Sequence, residues 1–499
     1  MFSAIDTNAR LPVRPARAPN TGRGTHSCVR RLPIRPLLLA NLTALLCAAP
    51  QLHAADLETA QGSGDPVVDA VNRTQLANDA ALARSPAEQA ARWANLMPRG
   101  FNLSLPPPSE TIFPNAGGLR DKLADYGIGW FGMNVTSAAN NLLSGSAKNL
   151  NGQRQYNGQT FTYVDNLYMG VTYDLAQHGI PDGQIYLSGM FTRTNWAPMG
   201  PNKFGLSEAS YYQTLFNKRL EVKLGYLIST WEFINTNVGG SLSTSVFGAS
   251  GSIPIQGGYS NNATPTPGIV LKYNIDKNWY AKATAERAVN PDGLTKEIHE
   301  NPTSFKFTTV NSGALYIGEL GYQRNSSEGV AQEWIRGGAA YNTSRYNSFE
   351  TPGTRVGHNS WYYLLADRQL WQKSPAGSPG RGLYIGASVM YAPPYANAVS
   401  QYYELRLYAK GIFDSRPYDM ISLVATDTVW GRDAINYYAS KGSLVHRDSV
   451  AITLSYSARV MRGVYAGIGL GYVNHPTSIV YQTGTGSALN LLGNLNIFF

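Results

Sequence analysis

The chain has 499 residues, 43% of them hydrophobic and only 15% charged, with a formal charge of +9. A soluble domain carries about 25% charged residues, and a helical membrane protein needs apolar runs of about 18 residues. Beyond the N-terminus no such run occurs and mean hydropathy is −0.23, which excludes a helical bundle in lipid. The 50 Gly and 31 Tyr suit a large all-β protein instead.

Arg10, Arg14, Arg17, Arg23, Arg30, Arg31 and Arg35 precede an apolar run from Leu37 to Ala49, and small residues follow at Ala54 and Ala55. A basic region, an apolar stretch and small residues describe a secretory signal peptide, residues 1–55. It holds seven of the 41 basic residues and one of the 32 acidic ones, so the rest of the chain carries a net charge of only +3. That removes the case for a nucleic-acid partner. Cys28 and Cys47 also fall in this segment, so the remainder has no disulfide and no thiolate to act as nucleophile or metal ligand.

Residues 56–115 read as a periplasmic extension, partly helical and Pro-rich. Residues 116–127 read as a short amphipathic helix, with Leu119, Leu123 and Tyr126 on one face. From Ile128 to Phe499 the texture is alternation. Leu489, Leu491, Leu495, Ile497 and Phe499 share one face, opposite Asn490, Asn494 and Asn496. Leu405 and Leu407 alternate with Glu404 and Arg406. Period two over such lengths means strands with one apolar and one polar face.

About sixteen such segments are legible, each of roughly 8–11 residues, the length of a tilted strand crossing a bilayer. Connections after even-numbered strands are short and those after odd-numbered strands are long. That alternation predicts an all-β chain: a 16-stranded antiparallel transmembrane β-barrel with short periplasmic turns, long outer loops and both termini in the periplasm. A soluble β-sandwich also alternates. Against it, charges fall on the polar face only, where a lipid-facing Lys or Arg would cost about 2–4 kcal/mol at the midplane. The chain also ends on Ile497-Phe498-Phe499, and a terminal aromatic closing an alternating strand resembles the signal read by the barrel assembly machinery.

Ile128–Phe499, with the helix before it, resembles the carbohydrate-selective porin family of the OprB type. The resemblance rests on Gly117-Gly118-Leu119-Arg120-Asp121-Lys122-Leu123, Gly318-Glu319-Leu320-Gly321-Tyr322, Leu365-Ala366-Asp367-Arg368-Gln369-Leu370-Trp371, Arg381-Gly382-Leu383-Tyr384 and Gly471-Tyr472-Val473-Asn474-His475-Pro476, in that order. It implies a barrel of the Gram-negative outer membrane whose narrow, positively biased lumen passes sugars such as glucose by diffusion. The stretch after the fifth strand, acidic in that family, reads Leu-Ile-Ser-Thr-Trp-Glu-Phe at 227–233. Selectivity therefore does not transfer residue by residue.

The longest connection, Ile228 to Pro267, is nearly uncharged apart from Glu232. A structureless loop of that length is rare, so the expectation is an inward fold that narrows the lumen. The alternation puts Arg219, Glu221, Lys223, Lys272, Lys282, Glu286, Glu319, Arg336, Glu404 and Arg406 on the lumen face. Such groups exchange hydrogen bonds with sugar hydroxyls or brace the wall as cross-strand ion pairs. Trp130, Tyr168, Tyr186 and Trp231 are candidates for stacking on sugar rings, whereas Trp279, Tyr472 and Phe499 fit interfacial girdles.

The candidate pore-lining set is Arg219, Glu221, Lys223, Trp231, Lys272, Glu319, Arg336, Glu404 and Arg406. No catalytic residue, metal ligand or cofactor is assigned, because His178, His299, His358, His446 and His475 are scattered over turns and loops. The alternatives are a porin for other small solutes such as organic acids, an outer-membrane hydrolase, or an adhesin with a plugged lumen. The expected partners are permeating sugars, outer-membrane lipid and the assembly machinery, with the barrel a monomer or a homotrimer.

Overall fold

The computed structural model describes residues 86–102, 105–143, 154–196, 202–236, 251–476, 479–481 and 486–499. The expected leader, residues 1–55, lies outside the described residues, as do 56–85 of the expected extension and 237–250 of the long loop.

Sixteen strands form one closed barrel. They are β1 Ile128–Asn141, β2 Thr162–Asp174, β3 Gln184–Thr194, β4 Lys203–Leu215, β5 Leu220–Leu227, β6 Thr266–Asn274, β7 Trp279–Arg287 and β8 Ala314–Arg324. The ring continues with β9 Glu333–Asn342, β10 Asn359–Ser374, β11 Ser378–Tyr391, β12 Val399–Lys410, β13 Met420–Trp430, β14 Asp448–Met461, β15 Val464–Val473 and β16 Ala488–Phe498. Each strand pairs with the next, and β16 pairs antiparallel with β1, so no edge is left for another chain to extend. No helix among the described residues is long and apolar enough to cross a membrane.

The period-two pattern explains the two faces. On β12, Tyr403, Leu405 and Leu407 are exposed on the outer wall, while Tyr402, Glu404, Arg406 and Tyr408 are buried on the inner one. Outward Leu187, Leu364, Leu454 and Ile468 extend the apolar surface around the barrel. Such a band suits hydrocarbon, where the closed ladder satisfies every strand amide internally.

Strand number and order follow the alternation, but the strands run longer than it indicates. β10 covers 16 residues, and β4 begins at Lys203 rather than near Ala209. The turns at 375–377 and 462–463 are among the shortest connections, and the loop 228–265 is the longest. Connections 195–202 and 392–398 follow odd strands yet are short, an exception to the expected alternation. Tyr346–Asn347 pairs with Arg355–Val356 as a hairpin within the connection 343–358, and Leu444–Val445 pairs with Val480–Tyr481 to join two long loops.

Closure has a specific fit. The Gly132 amide donates to the Phe499 carbonyl at 2.9 Å, and the Phe499 amide donates to the Gly132 carbonyl at 3.0 Å. The Phe499 ring lies on Gly132, where a Cβ would meet it at 2.3 Å. Only glycine leaves room for that ring.

Ahead of the barrel, helix α1 (Pro86–Asn95) packs on helix α2 (Leu119–Asp125). Trp93 donates its indole N–H to Asp121 at 2.9 Å, and Arg92 pairs with Asp125 at 2.6 Å. Arg120 fixes α2 to the wall, donating to the carbonyl of Trp130 at 2.9 Å with its guanidinium 4.0 Å from that ring.

Candidate functional site

The loop that follows β5 carries two short helices, α3 (Ser229–Glu232) and α4 (Ile253–Gln256). It is first tied to itself. The Ser229 amide donates to Ser260 Oγ at 2.9 Å, and the Tyr259 hydroxyl donates to the Ser229 carbonyl at 2.6 Å. Leu227, Phe233, Ile234, Ile253 and Tyr259 bury together against Trp361, Tyr363, Leu365 and Val399 from the inner faces of β10 and β12. An apolar loop with one charge can bury itself this way, because it has little to desolvate.

That one charge, Glu232, is fully buried and meets two cations. Its carboxylate lies 2.6 Å from Lys223 Nζ on β5 and 2.7 Å from Lys282 Nζ on β7. Lys282 also donates to the Glu232 carbonyl oxygen at 2.7 Å, and Lys223 reaches Glu208 on β4 at 2.8 Å. Charges alternate along Glu208, Lys223, Glu232 and Lys282, so each sits beside its opposite. A buried pair gains little net stability, but removing one partner leaves an uncompensated charge at a cost of about 3–5 kcal/mol.

Further contacts carry the loop across the lumen. Arg336 on β9 stacks on the Trp334 ring at 3.5 Å and donates Nε to the Phe233 carbonyl at 3.2 Å. Its other end donates to the carbonyl of Asn235. Glu319 on β8, 3.8 Å from Arg336, accepts from the hydroxyls of Tyr280 at 3.0 Å and Tyr363 at 2.7 Å. Glu286 on β7 accepts from Ser229 at 2.6 Å and from Thr266 at 3.0 Å. The Val399 amide on β12 donates to Gln256 at 3.0 Å, and Asn342 on β9 donates to the Gly257 carbonyl at 2.8 Å.

Of the residues singled out by alternation, Lys223, Trp231, Glu319 and Arg336 come together around this loop, with Lys282 and Glu286. Glu221 and Lys272 pair with each other at 3.1 Å, and Tyr212 donates to Glu221 at 3.0 Å. Glu404 and Arg406 belong to a second cluster on the β10–β12 wall. There Arg406 lies 3.0 Å from Asp367 and donates to Ser388 at 2.6 Å as well as to Glu404. Gly386 leaves room for it, since a Cβ there would lie 2.3 Å from Asp367 and 2.8 Å from the guanidinium.

Arg219 departs from the set. It is exposed in the turn between β4 and β5, after three residues with φ of 53–64° at Phe216, Asn217 and Lys218. The turn ends before the alternation begins at Leu220.

The aromatic candidates divide likewise. Tyr168 and Trp231 lie 5.6 Å apart by ring centroids, and both bury in one cluster with Phe131 and Met190. Trp130 sits beneath Arg120, in register with the exposed Val171 of the outer wall.

Glu208, Asp367, Tyr280 and Tyr363 are members that the sequence reading did not single out. Glu208 was hidden by a β-bulge. Phe204 and Glu208 have the same parity, yet Phe204 is 71% exposed and Glu208 is fully buried. The register shift at Ser188/Gly189, opposite Leu206–Glu208, inserts one residue and turns Glu208 inward. Among the described residues no group of three or more His, Cys, Asp or Glu is placed to hold a metal ion. What the site offers is a fixed set of charged and hydroxyl groups that pair with one another and hold the loop to the inner wall.

Comparison with known proteins bears on that lumen. Residues 132–483 match the family described as carbohydrate-selective porin, OprB family. The chain belongs to that family. Among curated members, Porin B of Pseudomonas aeruginosa is 29% identical over 171 residues, 31% of this chain and 35% of that protein. The chain thus matches about a third of that relative's length. Among solved structures, the high-pH structure of Pseudomonas putida OprB superimposes with a TM-score of 0.65 at 18% identity, over 78% of this chain and 99% of that one. At that identity the likeness concerns the OprB barrel fold. The OprB family match begins inside β1, so helices α1 and α2 and the residues between them lie outside it.

Proposed function

We propose that this protein is a passive diffusion channel of the Gram-negative outer membrane that prefers sugars of glucose size. The loop 228–265 narrows its lumen, and both ends of the chain lie on the periplasmic side. The observation that carries the reading is Glu232, locked between Lys223 and Lys282 and holding the loop against the inner wall. A loop pinned by buried charges resists being swept aside by permeating solute. Family membership supports the channel class over a hydrolase, and assays for esterase and protease activity on the folded barrel test that choice.

Alternating cations, carboxylates and phenols suit a neutral polyol. Each sugar hydroxyl both donates and accepts, so it can replace water at Lys, Glu, Arg and Tyr alike. Binding must stay weak for solute to leave, and millimolar affinity corresponds to about 4 kcal/mol, a handful of hydrogen bonds in water. The buried carboxylates of Glu208, Glu232, Glu286 and Glu319 offset the neighbouring cations, so the wall offers a dissociated acid little uncompensated positive charge.

The test is swelling of liposomes bearing the refolded protein, with glucose, a disaccharide and an organic anion of glucose's size. Fast glucose entry with slow anion entry is the expected result. Faster anion entry would keep the channel and overturn the sugar preference. No swelling from a folded barrel would overturn the channel reading.

A further inference from the structure

Between α1 and α2 the chain does not stay outside the barrel. Residues 96–102 enter the lumen from the short-turn end and bond to inward side chains of two strands. Thr172 on β2 donates to the Leu96 carbonyl at 2.5 Å, and Gln184 on β3 donates to the Met97 carbonyl at 3.0 Å. The Arg99 amide donates back to Gln184 at 3.0 Å. Gly100 turns the chain with φ of +84°, and a Cβ there would press on Lys223 of β5 at 3.0 Å and on Tyr212 of β4 at 3.1 Å.

The segment then meets the tip of the long loop. The Asn102 amide donates to the Trp231 carbonyl at 2.9 Å, and its side-chain amide donates to the Glu232 carbonyl at 2.5 Å. The Phe101 ring stands edge-on to Trp231 at 5.2 Å and to Tyr186 at 5.9 Å, with Lys223 Nζ 3.6 Å from its centroid. A cation over a ring face and edge-to-face aromatic pairs are each favourable. The same Lys223 therefore anchors both intruding segments, one through Glu232 and one through Phe101.

We propose that residues 96–102 form the second half of the constriction, with Phe101 setting its size limit and Asn102 positioning Trp231 and Glu232. The loop enters from one mouth and this segment from the other, and they meet at Trp231–Glu232. A solute that clears the loop must then pass Phe101. Truncating that ring widens the passage without removing any charge, and Lys223 keeps Glu208 and Glu232, so size discrimination changes while charge preference stays. The proposal rests on the channel reading above, and it assigns discrimination to residues outside the 132–483 family match.

The experiment uses the full chain refolded into liposomes, comparing wild type, Phe101→Ala, Asn102→Ala and the control Phe204→Ala, whose ring is exposed on the outer wall. Folding of each is confirmed by heat-modifiable migration. For Phe101→Ala the ratio of disaccharide to glucose entry should rise by about threefold or more, with higher single-channel conductance. Asn102→Ala should raise conductance noise as the loop tip loosens, and Phe204→Ala should match wild type. Folded Phe101→Ala with the wild-type ratio and conductance would overturn the proposal.

If wild type itself passes no sugar, the channel reading fails, and the placement is still read separately. Cys28 and Cys47 are the only native cysteines. With both replaced by Ser, a cysteine at position 101 should react with a small thiosulfonate and be shielded from a bulky maleimide-polyethylene glycol. Bulky labelling as fast as at an exposed turn position, such as 217, would overturn the placement.

Discussion

Glu232 is the residue on which most of the inner architecture converges. Glu232→Gln leaves Lys282 without its carboxylate and Lys223 with Glu208 alone. The folded barrel should lose about 3 kcal/mol in urea unfolding, and the freed cations should shift ion preference toward anions in reversal-potential measurements. Arg406 makes the opposite case. Arg406→Met strands Asp367 and Glu404 on the wall, so stability should fall by a similar amount while the glucose-to-disaccharide ratio in swelling stays unchanged. A changed ratio would move Arg406 from bracing the wall to contacting solute. At this scale the sequence was readable wherever period two ran unbroken, as at Lys223, Glu319 and Arg406. It misled at Arg219, which lies in a left-handed turn, and it hid Glu208 behind a bulge. Neither local irregularity leaves a mark in hydrophobic alternation.

Among elements, the seam between β1 and β16 should tolerate the least. Gly132→Val places a side chain where the Phe499 ring lies, so the yield of heat-resistant folded barrel should fall sharply. Gly318→Ala, with open space around its Cβ, should refold like wild type. The connections after β13 and β15 meet through stacked rings of His446 and His475, 4.1 Å apart, with the His446 amide bonded to the Ile479 carbonyl at 3.0 Å. Burial, with the adjacent His475 imidazole adding to it, lowers the His446 pKa from 6.5 to about 4, against the pull of Asp448. An undocked His446 gains its proton as pH falls through 6.5, while the docked ring stays neutral until about 4. The docked arrangement therefore loses stability across that window. Hydrogen exchange at the His446 amide, corrected for intrinsic rate, should be faster at pH 5 than at pH 7, and equal protection would refute the effect. Strand number and order were legible because each strand repeats one rule. Strand ends were not, because register shifts opposite Ser188/Gly189 in β4 and at Gln369/Trp371 and Gln372/Ser374 in β10 break the alternation before the strands end.

For the whole molecule, the barrel and an inward loop after β5 could be expected from the sequence, but the partners of that loop and the segment 96–102 could not. The wall is periodic, and its partners in the ring are neighbours in sequence. The filling is aperiodic: Asn102 bonds to Glu232 across 130 positions, and Gln256 bonds to Val399 across 143. No local pattern records such pairings, and residues 96–102 carry no alternation to mark them as an interior segment. The closing seam has one more consequence, for biogenesis. β16, which completes the ring, also holds the stretch just ahead of α2, since the Ile112 amide donates to the Phe498 carbonyl at 2.9 Å. A polypeptide truncated anywhere before β16 would be an open sheet with two raw, sticky margins. β16 thus acts as the closing latch of the ring, and chains that lack it should be directed to aggregation or proteolysis instead of insertion.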